Sequence, residues 1–160
     1  MSFDPINPVA LIASAATGVG AACARELAQR ADGGLILADV DESALEACAD
    51  SLDRAPERVS TLAFNPADPR RWADAADFIA AHYGRLDWAL IDAGAAFPRH
   101  EDYLEYTRRG LEAVMPLIGD NRDGGAIVLM ASAAALAEEL RTGADGGLLD
   151  LLREATRRGD

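Results

Sequence analysis

The chain alternates between short apolar runs and longer stretches whose apolar residues recur every three or four positions. Val9 to Ala13, Leu35 to Ala38, Val59 to Phe64, Leu86 to Ile91 and Ala126 to Ala131 are the apolar runs. Each is four to six residues long and bounded by turn-forming residues, which predicts buried strands. Between them lie segments with helical spacing. Val19, Cys23 and Leu27 predict one helix. Leu45, Cys48 and Leu52 predict a second over Asp41 to Leu52. A third carries Trp72, Ala75, Ala76, Ile79 and Tyr83 on one face. Pro69 suits its first position, Asp68 its cap and Gly84 its end. A fourth runs from about Glu101 to Leu117, with Leu104, Leu111, Val114 and Ile118 in register, and a last one from Leu148 to Arg158. Ala55 to Arg58, Asn65 to Asp68, Ala95 to Glu101, Asp120 to Gly125 and the polar Arg141 to Gly147 read as connections, and Ser132 to Glu139 as a small-residue segment.

A strand–helix alternation of this kind implies an α/β fold: a three-layer, doubly wound parallel sheet of about five strands, with helices on both faces and right-handed crossovers. The 160 residues suit one domain, with no internal repeat and no low-complexity tract.

The first strand leads into the segment most capable of chemistry, Ser14-Ala-Ala-Thr-Gly-Val-Gly20. A strand, a glycine-bearing turn and a helix start form an anion site. Backbone N–H groups point outward there, with the helix dipole behind them. The bland alternative is a tight packing turn with no ligand. Asp39 weighs against that alternative. It ends the second apolar run about twenty residues after the turn, where a dinucleotide fold places the acid that binds the ribose 2′-hydroxyl. The same acid repels a 2′-phosphate, so the expected cofactor is NAD(H) rather than NADP(H). Asp39 also suits an ordinary helix cap.

Composition narrows the partners. The formal net charge is −12, which disfavours nucleic acid and anionic membranes. All 15 basic residues are Arg; Lys is absent. Cys23 and Cys48 fall on helices without CxxC spacing and read as small core residues. The acid-rich face from Asp41 to Asp53 lacks an accompanying His and reads as solvated surface, so no metal is expected. His82, at a helix end, reads as a dipole contact. No run is long enough to span a membrane and the N-terminus carries no leader pattern, so the expectation is a cytoplasmic protein.

Landmarks in order along the chain resemble the short-chain dehydrogenase/reductase family, from Val9 to about Arg157. Ala13-Ser-Ala-Ala-Thr-Gly-Val-Gly20 is similar to its TGxxxGxG turn, and Leu37-Ala-Asp-Val40 to the acidic end of its second strand. Asn65 stands at its adenine-binding Asp. Gly84 to Gly94 is similar to the segment ending in NNAG, and Gly124 to Ser132 to the strand presenting its catalytic Ser. The resemblance implies a cofactor site of Ser14, Thr17, Gly18, Val19, Gly20, Asp39, Val40, Asn65, Pro66, Asp92, Ala93 and Gly94.

The pattern also departs from the family. Ser14 replaces the first glycine of the turn, and Ile91-Asp-Ala-Gly94 replaces NNAG, which puts a carboxylate beside the cofactor. Both predict weakened NAD(H) binding. The family's Tyr exchanges a proton with the substrate, and a Lys four residues later lowers its pKa. Here Ser132 remains as a catalytic remnant, but no Tyr follows Tyr106, and Arg141 and Asp145 stand where Tyr and Lys would be. Tyr103 and Tyr106, on a helix expected to face outward or a partner, read as packing residues. The fourth helix lacks the family's proton-relaying Asn. The single domain over 1–160 is expected to lack the family's last strands and substrate loop.

Three readings follow. One is a non-catalytic subunit that pairs with itself or with an active dehydrogenase through the fourth and fifth helices, where that family builds dimers. The others are a divergent NAD-linked oxidoreductase and an NAD(H)-sensing module. The first is favoured.

Overall fold

A computed structural model describes residues 7–30, 33–65, 68–92, 100–121 and 124–130, together with Arg141 and Arg153. Five strands form one parallel sheet: β1 (Ala10–Ala13), β2 (Leu35–Asp39), β3 (Val59–Ala63), β4 (Trp88–Asp92) and β5 (Ala126–Met130). Their order is β3-β2-β1-β4-β5. The chain first winds from β1 through β2 to β3, then returns to the other side of β1 for β4 and β5. This is a Rossmann-like α/β fold, and its topological switch point lies between β1 and β4.

The helices are α1 (Gly18–Arg30), α2 (Glu42–Asp50), α3 (Pro69–Tyr83) and α4 (His100–Gly119). Strand alternation sorts the core into two layers, because successive side chains point to opposite faces. Leu11 and Ala13 of β1, Ile36 and Ala38 of β2, and Ala89 and Ile91 of β4 pack with Trp72 and Ile79 of α3 and with Tyr106, Leu111, Val114 and Ile118 of α4. Ala10 and Ile12, with Leu35 and Leu37, pack on the other face with Ala21 and Ala24 of α1 and Leu45 and Cys48 of α2. β1 and β2 are buried on both faces, which explains their unbroken apolar runs.

The caps follow the sequence. The Asp41 side chain accepts from Ala44 N at 3.0 Å to start α2, and Asp68 accepts from Arg70 N to start α3. Gly84 ends α3 in the left-handed conformation, with its N–H bonded to Ile79 and Ala80 carbonyls. His82 Nδ1 lies 3.0 Å from the Phe78 carbonyl, and its ring stacks on that of Phe78.

Some expectations need correction. α1 begins at Gly18, inside the segment read as a turn, because the helix must start close to the strand it leaves. That choice rotates the inward face onto Ala21 and Ala24 and leaves Val19 47% exposed. Pro56–Arg58, read as loop, is a 3-10 turn. β4 starts two residues later than its apolar run, since Leu86 and Asp87 are buried ahead of it. Arg141, read as the start of a link, is helical, as is Arg153. The remaining readings beyond residue 130, including Ser132, Asp145 and the last helix, lie outside the described residues. So do Pro66, Ala93 and Gly94. Among the described residues, no helix is long and apolar enough to cross a membrane.

Candidate dinucleotide site

Parallel register brings the ends of four strands to one edge. Ala13 lies opposite both Ala38 and Ile91, so Ser14, Asp39 and Asp92 sit side by side at the carboxyl ends of β1, β2 and β4. Asp39 in turn pairs with Ala63, which brings Phe64 and Asn65 alongside, with Phe64 N donating to the Asp39 carbonyl. A doubly wound sheet binds its ligands at this edge, beside the switch point. Ser14, Thr17, Gly18, Val19, Gly20, Asp39, Val40, Asn65 and Asp92 thus lie at or next to the strand ends along this edge.

The turn after β1 is built for close approach. A Cβ on Gly20 would lie 2.0 Å from the Ser14 carbonyl oxygen, so only glycine lets α1 begin this near the strand. Gly18 has φ +59° and opens into free space; its demand is conformational instead. Thr17, Gly18 and Val19 are exposed at the lip. The N–H groups of the first turn of α1 have no intrahelical acceptors and face that lip.

Ser14 takes the left-handed conformation with φ +65°, and among the described residues it is the one non-glycine to do so. The turn therefore keeps a glycine-like backbone with a serine in it. The Ser14 hydroxyl donates to the Asp92 carbonyl at 2.6 Å, tying the end of β1 to the end of β4 across the switch point.

Asp39 organises the other flank. One carboxylate oxygen accepts from Ala16 N at 2.9 Å, and the second accepts from Val40 N at 2.7 Å and Asp41 N at 3.2 Å. Asp39 thus holds the turn after β1 and the start of the β2–α2 connection at once. It remains half-exposed beside Val40, which is 62% exposed. The helix-cap role foreseen for Asp39 falls to Asp41, and Asp39 holds the connection ahead of the helix instead.

Beneath the site lies a residue whose position the sequence reading missed. Tyr106 of α4, read as a packing residue on a helix facing outward or a partner, is 2% exposed and packs into the core beneath the sheet edge. Its ring packs edge-on to Trp72 at 5.5 Å, and Trp72 packs edge-on to Phe64 at 5.3 Å. Tyr106 and Ser14 line the same small cavity. Burial pushes its pKa up from the ordinary 10.0; the neighbouring Ser14 side chain opposes this, while the nearby Asp92 and Asp39 carboxylates add to the rise. A spacing signal existed: Tyr106 and Gly110 share a helical face, adjacent to that of Thr107, Leu111, Val114 and Ile118. A cavity of about 10 Å³ lies between Ala13, Ser14, Ala38, Asp39, Phe64 and Tyr106.

The residues fit a dinucleotide by their own geometry. The Gly20 approach, the Gly18 backbone and the half-exposed Asp39 carboxylate meet the needs of the pyrophosphate and ribose. The half-buried Asp92 adds negative charge to the same edge. A groove of about 390 Å³ along α2 and β3, lined by Glu46, Asp50, Arg54 and Thr61 among others, shares no residue with the site. Among the described residues, no cluster of three His, Cys, Asp or Glu side chains is arranged to hold a metal.

Comparison with known proteins agrees with this architecture. The family model described as short chain dehydrogenase matches residues 8–144. No curated protein matches the chain. Among solved structures, a carveol dehydrogenase from Mycobacterium avium in complex with NAD is 26% identical over 76% of this chain and 53% of its own, with a TM-score of 0.64. An NAD+-bound xylitol dehydrogenase is 21% identical over 83% of this chain and 56% of its own, with a TM-score of 0.71. A short-chain type dehydrogenase/reductase from Mycobacterium marinum is 22% identical over 84% and 59%, also at 0.71. The chain thus spans less than two thirds of the length of these relatives. With the strand order, the turn and the match over most of its length in agreement, the chain belongs to the short-chain dehydrogenase family.

Proposed function

We propose that this chain is a non-catalytic, NAD(H)-holding Rossmann subunit that assembles with itself or with an active dehydrogenase of its family. The observation that carries the reading is a mismatch within one chain. The turn, Gly20 and Asp39 keep the geometry a dinucleotide needs, whereas no Lys exists among the 160 residues and no Tyr follows Tyr106. A bound NAD(H) would supply hydride transfer. The protein's share of such a reaction is a proton donor beside the substrate oxygen and a cation that tunes it. Arg141 and Asp145 stand in the corresponding segment. An Arg does not release its proton near neutrality, and an Asp does not stand in for the ammonium.

Several features support the NAD(H) preference and the assembly. The two relatives with NAD in their descriptions are the carveol and xylitol dehydrogenases. Asp39 would hold the ribose, and a 2′-phosphate would meet its charge. Asp92 sets the affinity low. Among the described residues, β5 stands at the sheet edge, with Val128 55% exposed and Trp88 and Leu90 half-buried on the same face. Such an apolar edge suits a partner.

The test measures the absorbance of reduced nicotinamide with the purified chain and a panel of alcohols, ketones and acyl thioesters. It also determines the native mass of the complex recovered from the source. The expected result is no turnover and a mass above one chain. Steady turnover abolished by Ser132→Ala would reject the non-catalytic reading, and a monomer recovered alone would reject the assembly.

A further inference from the structure

Among the described residues, β3 is the sheet edge opposite β5. Register decides which of its backbone groups are already used. Phe64 N donates to the Asp39 carbonyl. In a parallel pair, alternate residues of a strand bond to a given neighbour. Ser60 and Leu62 share the phase of Phe64 and face β2, so Val59, Thr61 and Ala63 turn their N–H and C=O groups away from the sheet. The Val59 N–H is taken by the Pro56 carbonyl. The groups of Thr61 and Ala63 find no partner among the described residues, and both residues are exposed. The strand itself, Val-Ser-Thr-Leu-Ala, carries neither a charge nor a Pro, the common guards of an edge.

The groove of about 390 Å³ between α2 and β3 has Val59 and Thr61 in its wall. From α2 it is lined by Glu46 and Asp50, which stand one helical turn apart on one face. Both are exposed and carry no hydrogen bond or ion pair among the described residues. Like charges at this spacing destabilise a helix. Asp50 also ends α2, where the helix dipole disfavours a carboxylate, and the last turn holds no basic residue. Two acids that cost the helix stability therefore face one groove, and such breaches of local rules gather at functional surfaces. The cation in the wall, Arg54, is engaged: its Nη2 donates to the Gly33 carbonyl at 2.6 Å.

We propose that the β3 edge and this groove dock an extended segment of a partner protein bearing an Arg or Lys, which adds as a further strand through Thr61 and Ala63 and seats its cation between Glu46 and Asp50. Strand addition supplies main-chain bonds, and the groove supplies selectivity. Side chains of an added strand alternate between faces, so every second one lies on the groove side with Val59 and Thr61. A second copy of this chain fits less well. Its β3 brings no cation, and edge-to-edge pairing would bring its own Glu46 and Asp50 towards the first pair. The proposal does not depend on the NAD(H) reading above.

The test titrates the purified chain into fluorescein-labelled Thr-Val-Arg-Val-Thr and Thr-Val-Glu-Val-Thr, read by anisotropy. Unlabelled N-acetylarginine amide, the cation without the strand, competes against the first peptide. Amide exchange followed by NMR reports on β3. The Arg peptide is expected to saturate below about 1 mM, with the Glu peptide at least about tenfold weaker. Glu46→Gln with Asp50→Asn, both surface changes, should weaken the Arg peptide about fivefold and leave the Glu peptide no weaker. The Arg peptide should slow exchange of the Thr61 and Ala63 amides and leave those of Ser60 and Leu62, already bonded to β2, unchanged. Absence of saturation by about 1 mM, or equal affinity for the two peptides, would overturn the proposal. So would competition by N-acetylarginine amide at the affinity of the pentapeptide, which would mean a simple cation site, or peptide binding without protection of Thr61 and Ala63. Protection of these amides that grows with protein concentration alone would give the edge to a second copy and overturn it as well.

Discussion

The two ends of the sheet each carry an aspartate that bonds to the backbone of a neighbouring segment, and the two are used differently. At the amino end, Asp87 is fully buried. It accepts from Val9 N at 2.8 Å and from Arg85 Nε at 3.0 and 3.2 Å, with Arg85 Nη2 closing the pair. The Asn121 side chain donates to the Leu86 carbonyl beside it. Every direction is taken by protein. At the carboxyl end, Asp39 accepts from three backbone N–H groups, yet it stays half-exposed beside an open lip. A carboxylate oxygen accepts more than one bond, so Asp39 can hold the turn and a ribose hydroxyl together. One aspartate closes the fold and the other is left able to bind; solvent access and the Arg85 partner of Asp87 separate them.

The largest expected effect is at the closed end. Asp87→Ala leaves the Val9 N–H buried without its partner and removes the carboxylate that Arg85 pairs with. We expect a loss of about 3 kcal/mol in urea unfolding, the lower end for a broken buried pair because Arg85 is partly exposed. NADH affinity in the surviving folded fraction should be unchanged. A change below about 0.5 kcal/mol would mean that the pair contributes no more than a surface contact.

Next comes the turn. Gly20→Ala puts a methyl against the Ser14 carbonyl and must push α1 away from β1. A loss of about 1–3 kcal/mol is expected, together with loss of NADH binding. Gly18→Ala has open space and only a backbone penalty, about 1 kcal/mol. Equal effects of the two substitutions would contradict the close-approach argument.

Asp39→Ala sharpens the contrast. It removes acceptors for Ala16, Val40 and Asp41 N–H groups that can turn to water, so a cost of about 1 kcal/mol is expected. Its effect on the ligand is larger: NADH affinity should fall about tenfold while NADPH affinity stays level or rises. Calorimetry with both nucleotides checks this, and an equal loss for both would remove Asp39 from the ribose.

The smallest effect concerns pH. The folded state keeps the Tyr106 proton above the ordinary value of 10.0, whereas the unfolded chain releases it there. The unfolded state then binds fewer protons, so Tyr106 leaves stability flat below pH 10.0 and lowers it as pH rises above 10.0. The slope from this group approaches about 1.4 kcal/mol per pH unit. Tyr106→Phe should remove that component of the decline; superimposable profiles of the two proteins above this pH would place the phenol in solvent.

Much of this was legible in the sequence because its signals are local. The five apolar runs gave the strands to within two residues, and Asp41, Asp68, Pro69 and Gly84 marked helix ends through neighbours a few residues away. Gly18, Gly20 and Asp39 sit at spacings that the strand–turn–helix unit imposes. What escaped depends on residues far apart in the chain. Asp87 bonds to Val9 and Ser14 to Asp92, each across 78 positions, and Tyr106 comes to line one cavity with Ser14 only because parallel register brings the ends of β1 and β4 beneath α4. Ser14 looked like damage to the turn, since a Cβ there costs energy. The hydroxyl bond to the Asp92 carbonyl becomes visible only when the strands are paired. Val19 was misplaced for a local reason: the helix begins earlier than its apolar spacing suggested, and a shift of start rotates the buried face.

The account stands most directly on calorimetric titration of NADH and NADPH into the purified chain. It predicts saturable NADH binding weaker than about 10 μM and no heat from NADPH over the same range. NADPH binding at micromolar affinity or tighter, or equal to that of NADH, would contradict the role given to Asp39 and with it the site as described.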